Sequence, residues 1–388
     1  MPVGYLITVL ILGLAVSLLL PRIRGPRRLG KVSFWAGMIV NEQAHWLLAL
    51  LSVSTVLAFT DGDIDSAGGY VLVALAILVA CGLVVLLIRS FTARKSLRES
   101  IGSLGPDTAQ KIAERGRYGR VLLTPIPIRP RRVERLANIA YGPAGKRNKM
   151  DIYRPQGPQV TGPFLIYLHG GSFTSGFKRR ESLAMHYRLA SKGWVTVSAN
   201  YRLSPESRFP ENLIDLKRVI AWVREEGAGL GADPSGIFLA GSSAGGHLAA
   251  MAALTSNEPL LQPGFESADT TVAGAIGLYG YYGGLEFGNL RPRGPLSSSP
   301  LDHVAPGAPP FLIVHGDHDT IVTVANARRF ASSLEEAGNS VAYAELPGAQ
   351  HSFDLTRSVR FSDSIDAIED FAAWAIRTPD TQNCADRR

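Results

Sequence analysis

Three stretches at the head of the chain hold almost no polar residue. Gly4–Leu20 (GYLITVLILGLAVSLLL) is 17 residues without a charge, and Gly69–Ile88 (GYVLVALAILVACGLVVLLI) is 20 more. Between them Val32–Thr60 is mostly apolar but is interrupted by Asn41-Glu42-Gln43-Ala44-His45. Helical runs of roughly 17–25 apolar residues match the hydrocarbon thickness of a bilayer. The pattern therefore predicts three transmembrane helices, over 4–20, about 33–59 and 69–88, with Glu42 and His45 at the interface or facing the helix bundle. A cleaved secretory leader is a poor reading of Gly4–Leu20. No base precedes the run, and Pro21-Arg22-Ile23-Arg24 stands where a small-residue cleavage site should be.

From about residue 132 the period changes. RVERLANIAYG and KMDIYRP read as a leading antiparallel pair of strands. Buried strands (PFLIYLHGG, WVTVSANYRL, IFLAGSSAGG, VAGAIGLYG, PPFLIVHG, VAYAELPG) then alternate with helical stretches such as ESLAMHYRLASKG, PENLIDLKRVIAWVREEG, Ala325–Ala337 and Ser362–Ile376. Strands and helices alternating at this length imply βαβ units, hence an α/β fold with a mostly parallel sheet covered on both faces over 132–378. Ligands in such sheets bind at the carboxyl ends of the strands. Residues 89–131 read as a basic connector with one amphipathic helix, and 379–388 as a disordered tail. On this division a chain shortened to begin near residue 100 is expected to fold as a soluble domain.

Charge gives the helices an orientation. Arg22, Arg24, Arg27, Arg28 and Lys31 follow the first apolar run, and Arg89, Arg94, Lys95 and Arg98 follow the last, whereas Asp61, Asp63 and Asp65 lie between the second and third. Excess bases mark cytoplasmic loops, so the reading is a multi-pass protein of the cell membrane with its large domain in the cytoplasm, and the bases meet anionic headgroups. The net charge of +7 is thereby accounted for at the membrane. A nucleic-acid surface would need a basic stripe interleaved with aromatics, which is absent. Cys81 and Cys384 make neither a disulfide framework nor a metal spacing.

The polar residues that remain conspicuous fall at predicted strand ends. Gly241-Ser242-Ser243-Ala244-Gly245 reads as G-x-S-x-G only when centred on Ser243. A nucleophile on a sharp strand-to-helix turn needs glycine two before and two after, where a Cβ would clash. The plain alternative is a Gly/Ser turn. A serine hydroxyl needs a base and an orienting acid. Of the eight histidines, His351 lies in a loop after strand VAYAELPG, free to lean over the sheet edge. Phe311–Val314 opens into His315-Gly316-Asp317-His318-Asp319. Asp319, further out in that loop, can turn towards an imidazole, and Asp317 is better placed to brace the turn. Four crowded polar residues make a poor metal cage, so no metal is expected. Backbone N–H donors for an oxyanion are available from Ala244 at a helix N-terminus and from the run Gly170-Gly171-Ser172 after strand FLIYL.

Residues 132–378 resemble an α/β-hydrolase of the carboxylesterase group around hormone-sensitive lipase. The resemblance rests on HGGSF (169–173), NYRLSPESRFPENLIDLKRVIAWV (200–223), GSSAGG (241–246), HGDHDTIV (315–322) and HSF (351–353); membrane-anchored actinobacterial esterases look similar overall. It implies Ser243 as nucleophile, His351 as base and Asp319 as acid, with Gly171, Ser172 and Ala244 supplying oxyanion N–H groups. Many relatives carry a third glycine where this chain has Ser172. The implied reaction is hydrolysis of a small-molecule or lipid ester through an acyl-enzyme, with no cofactor. Gly284–Ala308 would be a substrate-facing loop or lid. Rival readings are amide or lipidated-cysteine methyl ester hydrolysis on the same triad, a catalytically silent membrane-tethered binding module, and a transport component; three spans with few polar residues make a thin pathway for the last.

Overall fold

The computed structural model describes residues 3–22, 27–105, 108, 118–157, 162–233, 236–286 and 288–377. The tail expected to be disordered and most of 106–117 lie outside these residues. Among the described residues five helices come first: α1 (Val3–Leu19), α2 (Arg27–Val40), α3 (Ala44–Thr60), α4 (Ala67–Gly102) and the short α5 (Gly119–Leu123). An eight-stranded sheet follows, with β1 (Val133–Ala140), β2 (Lys149–Pro155), β3 (Phe164–Leu168), β4 (Val195–Ala199), β5 (Ile237–Ser242), β6 (Gly274–Leu278), β7 (Phe311–Gly316) and β8 (Val341–Leu346). Its order is β1-β2-β4-β3-β5-β6-β7-β8. β2 runs antiparallel to both neighbours, and β4 through β8 are parallel. The central strands are short and buried along their whole length, as expected where helices cover both faces.

Helices α7 (Glu211–Glu226), α8 (Ala244–Leu254) and α9 (Val324–Glu336) bury one face of the sheet, in a core that includes Ile166, Val197, Leu216, Leu248 and Phe330. Helices α6 (Leu183–Ala190) and α10 (Val359–Arg377) cover the other. A third helix joins them there. Ala93, Leu97 and Ile101, at i, i+4 and i+8 on α4, are fully buried in the same cluster as Leu346, Phe361 and Ile365. Arg94, beside them, pairs with Asp363 of α10 at 2.8 Å.

This corrects two expectations. Residues 89–102 are not a connector, because the apolar helix continues without a break to Gly102 and its last turns belong to the core of the large domain. A chain beginning near residue 100 would therefore leave an apolar face of α10 and β8 bare. Leu97→Ala, although upstream of the sheet, is expected to destabilise the large domain by about 2–5 kcal/mol, as truncation of a fully buried leucine does; denaturant unfolding followed by tryptophan fluorescence measures it. The second correction concerns residues 33–59. They form not one straight crossing but two helices, α2 and α3, bent by 80° at Asn41–Gln43.

Among the described residues one helix, α4, is long and apolar enough by itself to cross a bilayer. α1 and α3 are shorter, at 17 residues each, and pack with α4 around Val9, Leu12, Leu51, Leu72, Val79 and Leu83. The three run so that Leu20, Ala44 and Arg89 lie at the end nearest the sheet: Arg89 donates to Leu20 O at 3.0 Å. Tyr5 and Thr55 meet towards the opposite end.

Candidate active site

Ser243 stands between the end of β5 and the start of α8 with φ 55° and ψ −115°, a conformation L-residues rarely adopt. The flanking glycines make it possible. A Cβ on Gly241 would lie 2.2 Å from the Gly245 backbone, and one on Gly245 would lie 2.1 Å from Leu168 O. The nucleophile turn is thus closed by contact between its own glycines and the end of β3, which is why the pattern permits only Ser243 at its centre.

The neighbouring hydroxyl is spent on structure. Tyr167 Oη donates to Ser242 Oγ, which donates to Asp354 Oδ2, each at 2.8 Å, and Ser242 is fully buried. Ser243 Oγ instead lies 2.9 Å from His351 Nε2, and His351 Nδ1 lies 2.6 Å from Asp319 Oδ2. A carboxylate accepts, so the Nδ1 proton points to Asp319 and Nε2 is left as the acceptor for the serine proton. Asp319 is itself held: its Oδ1 accepts the N–H groups of Ile321 and Val322 at 2.8 and 2.9 Å, and His315 Nε2 stands 3.2 Å from its Oδ2. Burial alone would raise this carboxyl, but the imidazoles of His351 and His315 and their hydrogen bonds hold it well below the usual carboxylate range. The Asp319 carboxylate is thus placed as an ionised acceptor for the His351 Nδ1 proton.

Asp317 takes the other part expected of it. Its Oδ1 accepts Gly348 N–H at 2.6 Å and His318 Nδ1–H at 2.8 Å, tying the end of β7 to the loop that carries His351. The four polar residues of HGDHD are thereby used in two separate pairs of contacts.

The oxyanion run follows β3. Gly171 has φ +122°, where a Cβ would meet Ser175 O at 2.1 Å, and Ser172 and Phe173 are left-handed at φ 53° and 61°. The chain after β3 is thus held in a tight turn close to the Ser243 elbow, where a Cβ on Gly170 would stand 3.2 Å from Ser243 Cβ. Gly170 departs from expectation. Its N–H donates to Glu181 Oε2 at 2.6 Å, so it is not available to a substrate oxygen. A buried carboxylate must collect donors, and Glu181 also draws on Tyr167 Oη. Burial, and then the charge of Asp354, push the Glu181 carboxyl upward from its ordinary value. Asp354 accepts from Ser242, Ser182 and Tyr279, and the Tyr279 ring lies 4.5 Å from that of His351. This polar floor of Tyr167, Glu181, Ser182, Tyr279 and Asp354 escaped the sequence reading. Of these, Tyr167, two residues before HGGSF, and Asp354, directly after HSF, sit beside a motif.

Gly284–Ala308 is tied down rather than loose. Ser298 O accepts from His247 Nε2 of α8 at 2.8 Å, Ser298 Oγ accepts Leu285 N–H, and Phe209 O accepts Arg293 N–H. Its Leu290, Leu296 and Leu301 pack against the first core.

A parallel sheet with this strand order and an elbow-borne serine at the end of β5 defines an α/β hydrolase, and the likenesses to known proteins go further. A family profile described as BD-FAE matches residues 150–287. The chain is 38% identical over 308 residues to the probable carboxylic ester hydrolase LipM of Mycobacterium tuberculosis, with 71% of each chain covered. It is 38% identical over 302 residues to esterase LipQ of the same organism, covering 70% of this chain and 72% of that one. The solved structure of Thermogutta terrifontis esterase 2 phosphoramylated by tabun matches with a TM-score of 0.55 at 26% identity, over 64% of this chain and 96% of that one. The chain belongs to the hormone-sensitive-lipase-like carboxylesterases of the α/β-hydrolase superfamily, and it is a carboxylic ester hydrolase.

Proposed function

We propose that the protein is a membrane-anchored serine carboxylesterase in which Ser243 attacks the ester carbonyl, His351 carries the proton to the leaving alcohol, and Asp319 holds the imidazole. The observation that carries this reading is the unbroken chain Ser243 Oγ–His351–Asp319 at 2.9 and 2.6 Å, with the hydroxyl at a strained elbow. Gly171, Ser172 and Ala244 supply the N–H groups that stabilise the tetrahedral oxyanion. Water then resolves the acyl-enzyme by the same proton path in reverse. No cofactor takes part. The substrates are small-molecule or lipid esters.

The anchor is multi-pass: α1, α3 and α4 cross the membrane, and α2 does not. Most of the exposed large apolar side chains among the described residues lie between Val3 and Phe91, which supports a lipid-facing belt. Asp61, Asp63 and Asp65 fall at the end far from the sheet, and Arg22, Arg28, Lys31 and Arg89 at the near end, a distribution that by the positive-inside tendency supports a cytoplasmic catalytic domain against anionic headgroups. One experiment tests site and side together. In intact cells a membrane-permeant fluorophosphonate should label the wild type and not Ser243→Ala, and an impermeant one should label the wild type only after the cells are lysed and Ser243→Ala not at all. Labelling of Ser243→Ala sinks the nucleophile; labelling of intact cells by the impermeant probe puts the domain outside.

A further inference from the structure

The hydropathy pattern makes residues 33–40 the first part of a span, yet α2 turns away from α3 by 80° and lies against the catalytic loop. Its inner face is built from small residues at helical spacing. Gly30, Ser33, Gly37 and Val40 are buried and Phe34 half-buried. Gly30 O accepts from Thr320 Oγ1 at 2.8 Å, and Gln350 Nε2 donates to Ser33 Oγ at 2.9 Å. A Cβ on Gly37 would stand 2.7 Å from Gln350 Cγ, so the helix backbone is seated directly on the residue before His351. The edge of Phe34 faces the His351 ring at 6.0 Å. Beyond α2 the break is clamped to the same domain. Asn41 Nδ2 donates to Gly348 O at 2.9 Å, Glu42 forms a buried ion pair with Arg360, and Gln43 Nε2 donates to Thr356 Oγ1 and Arg357 O, each at 3.0 Å. The polar interruption is thus a docking clamp on the hydrolase, not a polar site inside the membrane.

The outer face is the reverse. Leu29, Val32, Trp35 and Ile39, at 49%, 50%, 64% and 60% exposure, form an apolar stripe with no protein cover. Arg28 and Lys31 are exposed beside it. Beyond the bend Trp46, Leu50 and Val53 of α3 are exposed as well. A helix with one apolar face edged by bases, joined at a sharp angle to a span, is suited to lie in the headgroup–acyl boundary, its apolar side sunk about 5–10 Å.

Resting on the esterase reading above, we propose that α2 is an interfacial helix with its outer face in the bilayer and its inner face forming the wall of the active-site entrance beside His351, so that the enzyme takes esters laterally from the leaflet. The substrate class is a bilayer-resident ester with a long apolar chain. Such a molecule keeps its tail in lipid while its carbonyl passes along α2 to Ser243. Ser243 and His351 expose only 9% and 5% of their surface, so both side chains are largely enclosed. The occupant of the stripe is lipid because α2 leads directly into α3 of the lipid-facing belt and the stripe carries bases at its edge.

The test uses the full chain in phosphatidylethanolamine/phosphatidylglycerol vesicles. Val32→Glu/Ile39→Glu places two charges on the outer face, away from every catalytic contact. Hydrolysis of 4-methylumbelliferyl palmitate held in the vesicles should fall at least tenfold, while that of soluble 4-methylumbelliferyl acetate stays within about twofold. Equal losses on both esters, or none on either, overturn the proposal. A second measurement does not depend on activity. Trp35→Cys in a Cys81→Ser/Cys384→Ser background, labelled with NBD, should emit as in an apolar medium and be quenched by shallow doxyl lipids. Water-like emission, or an apolar emission that doxyl lipids leave unquenched, means that solvent or another protein surface meets α2, and the proposal fails even if Ser243 is the nucleophile. Loss of the nucleophile assignment would instead appear as an active Ser243→Ala enzyme with NBD still in lipid.

Discussion

Ser243→Ala is expected to lower hydrolysis of aryl esters by roughly four to six orders of magnitude, while Ser242→Ala keeps activity within about tenfold of the wild type. The two hydroxyls are adjacent in sequence and opposite in use. Ser243 Oγ faces Nε2 of His351 at 2.9 Å, so on the proposed mechanism its loss removes the atom that forms the acyl-enzyme. Ser242 Oγ is sealed under the elbow between Tyr167 and Asp354. Its removal takes one donor from a buried carboxylate that keeps Ser182 and Tyr279, a cost of about 1–3 kcal/mol in stability. Rates with 4-nitrophenyl butyrate, intact mass after a fluorophosphonate, and a denaturant melt separate the effects. An acylated Ser243→Ala beside a dead, stably folded Ser242→Ala would falsify the assignment.

The parts of the molecule legible in the sequence are those fixed by local sterics. The strand-to-helix turn demands Gly241 and Gly245 because each Cβ would strike backbone within about 2.2 Å, so the frame of the serine can be read from five residues. The buried strands read directly because helices on both faces remove any need for alternation. The geometry also separates Asp319, turned to the imidazole, from Asp317, turned to Gly348.

What the sequence hid depends on contacts across great separations. The bend between α2 and α3 is held by Asn41 on Gly348, 307 residues later, and by Glu42 on Arg360; hydropathy along Val32–Thr60 cannot distinguish an apolar face turned to lipid at the surface from a span through it. The commitment of Gly170 to Glu181 was equally invisible, since nothing in a glycine run tells which N–H will meet a carboxylate. The reach of α4 into the core was legible in principle. Ala93, Leu97 and Ile101 repeat at helical spacing, and no Pro or Gly falls between Gly82 and Gly102, but the bases between them point equally to the membrane surface.

Asp319→Asn should leave the fold intact and lower kcat by about 10⁴-fold, the size of loss seen when an amide replaces the acid of such a triad. The direction follows from which atom faces which partner. Asp319 Oδ1 is claimed by the Ile321 and Val322 N–H groups, so an asparagine keeps its carbonyl oxygen there and turns its NH₂ to His351. An NH₂ donates; it forces Nδ1 to accept and moves the ring proton to Nε2, the atom that must receive the proton of Ser243. The enzyme is then folded, with both loop contacts kept, and holds the wrong tautomer. Asp317→Asn should do the reverse. The carboxylate is drawn below its ordinary pKa because His318 and the Gly348 N–H outweigh its burial. Its contribution is therefore present above the unfolded carboxyl pKa and is lost as pH falls through the folded value. The variant should lose about 1–2 kcal/mol at neutral pH, melt with a weaker acid dependence, and keep kcat within tenfold. Paired measurements of kcat and melting from about pH 2 to about pH 8 (a range that spans the carboxyl and imidazole titrations) decide the matter: if Asp317→Asn is the inactive protein and Asp319→Asn merely the less stable one, the acid of the triad has been assigned to the wrong side of the turn.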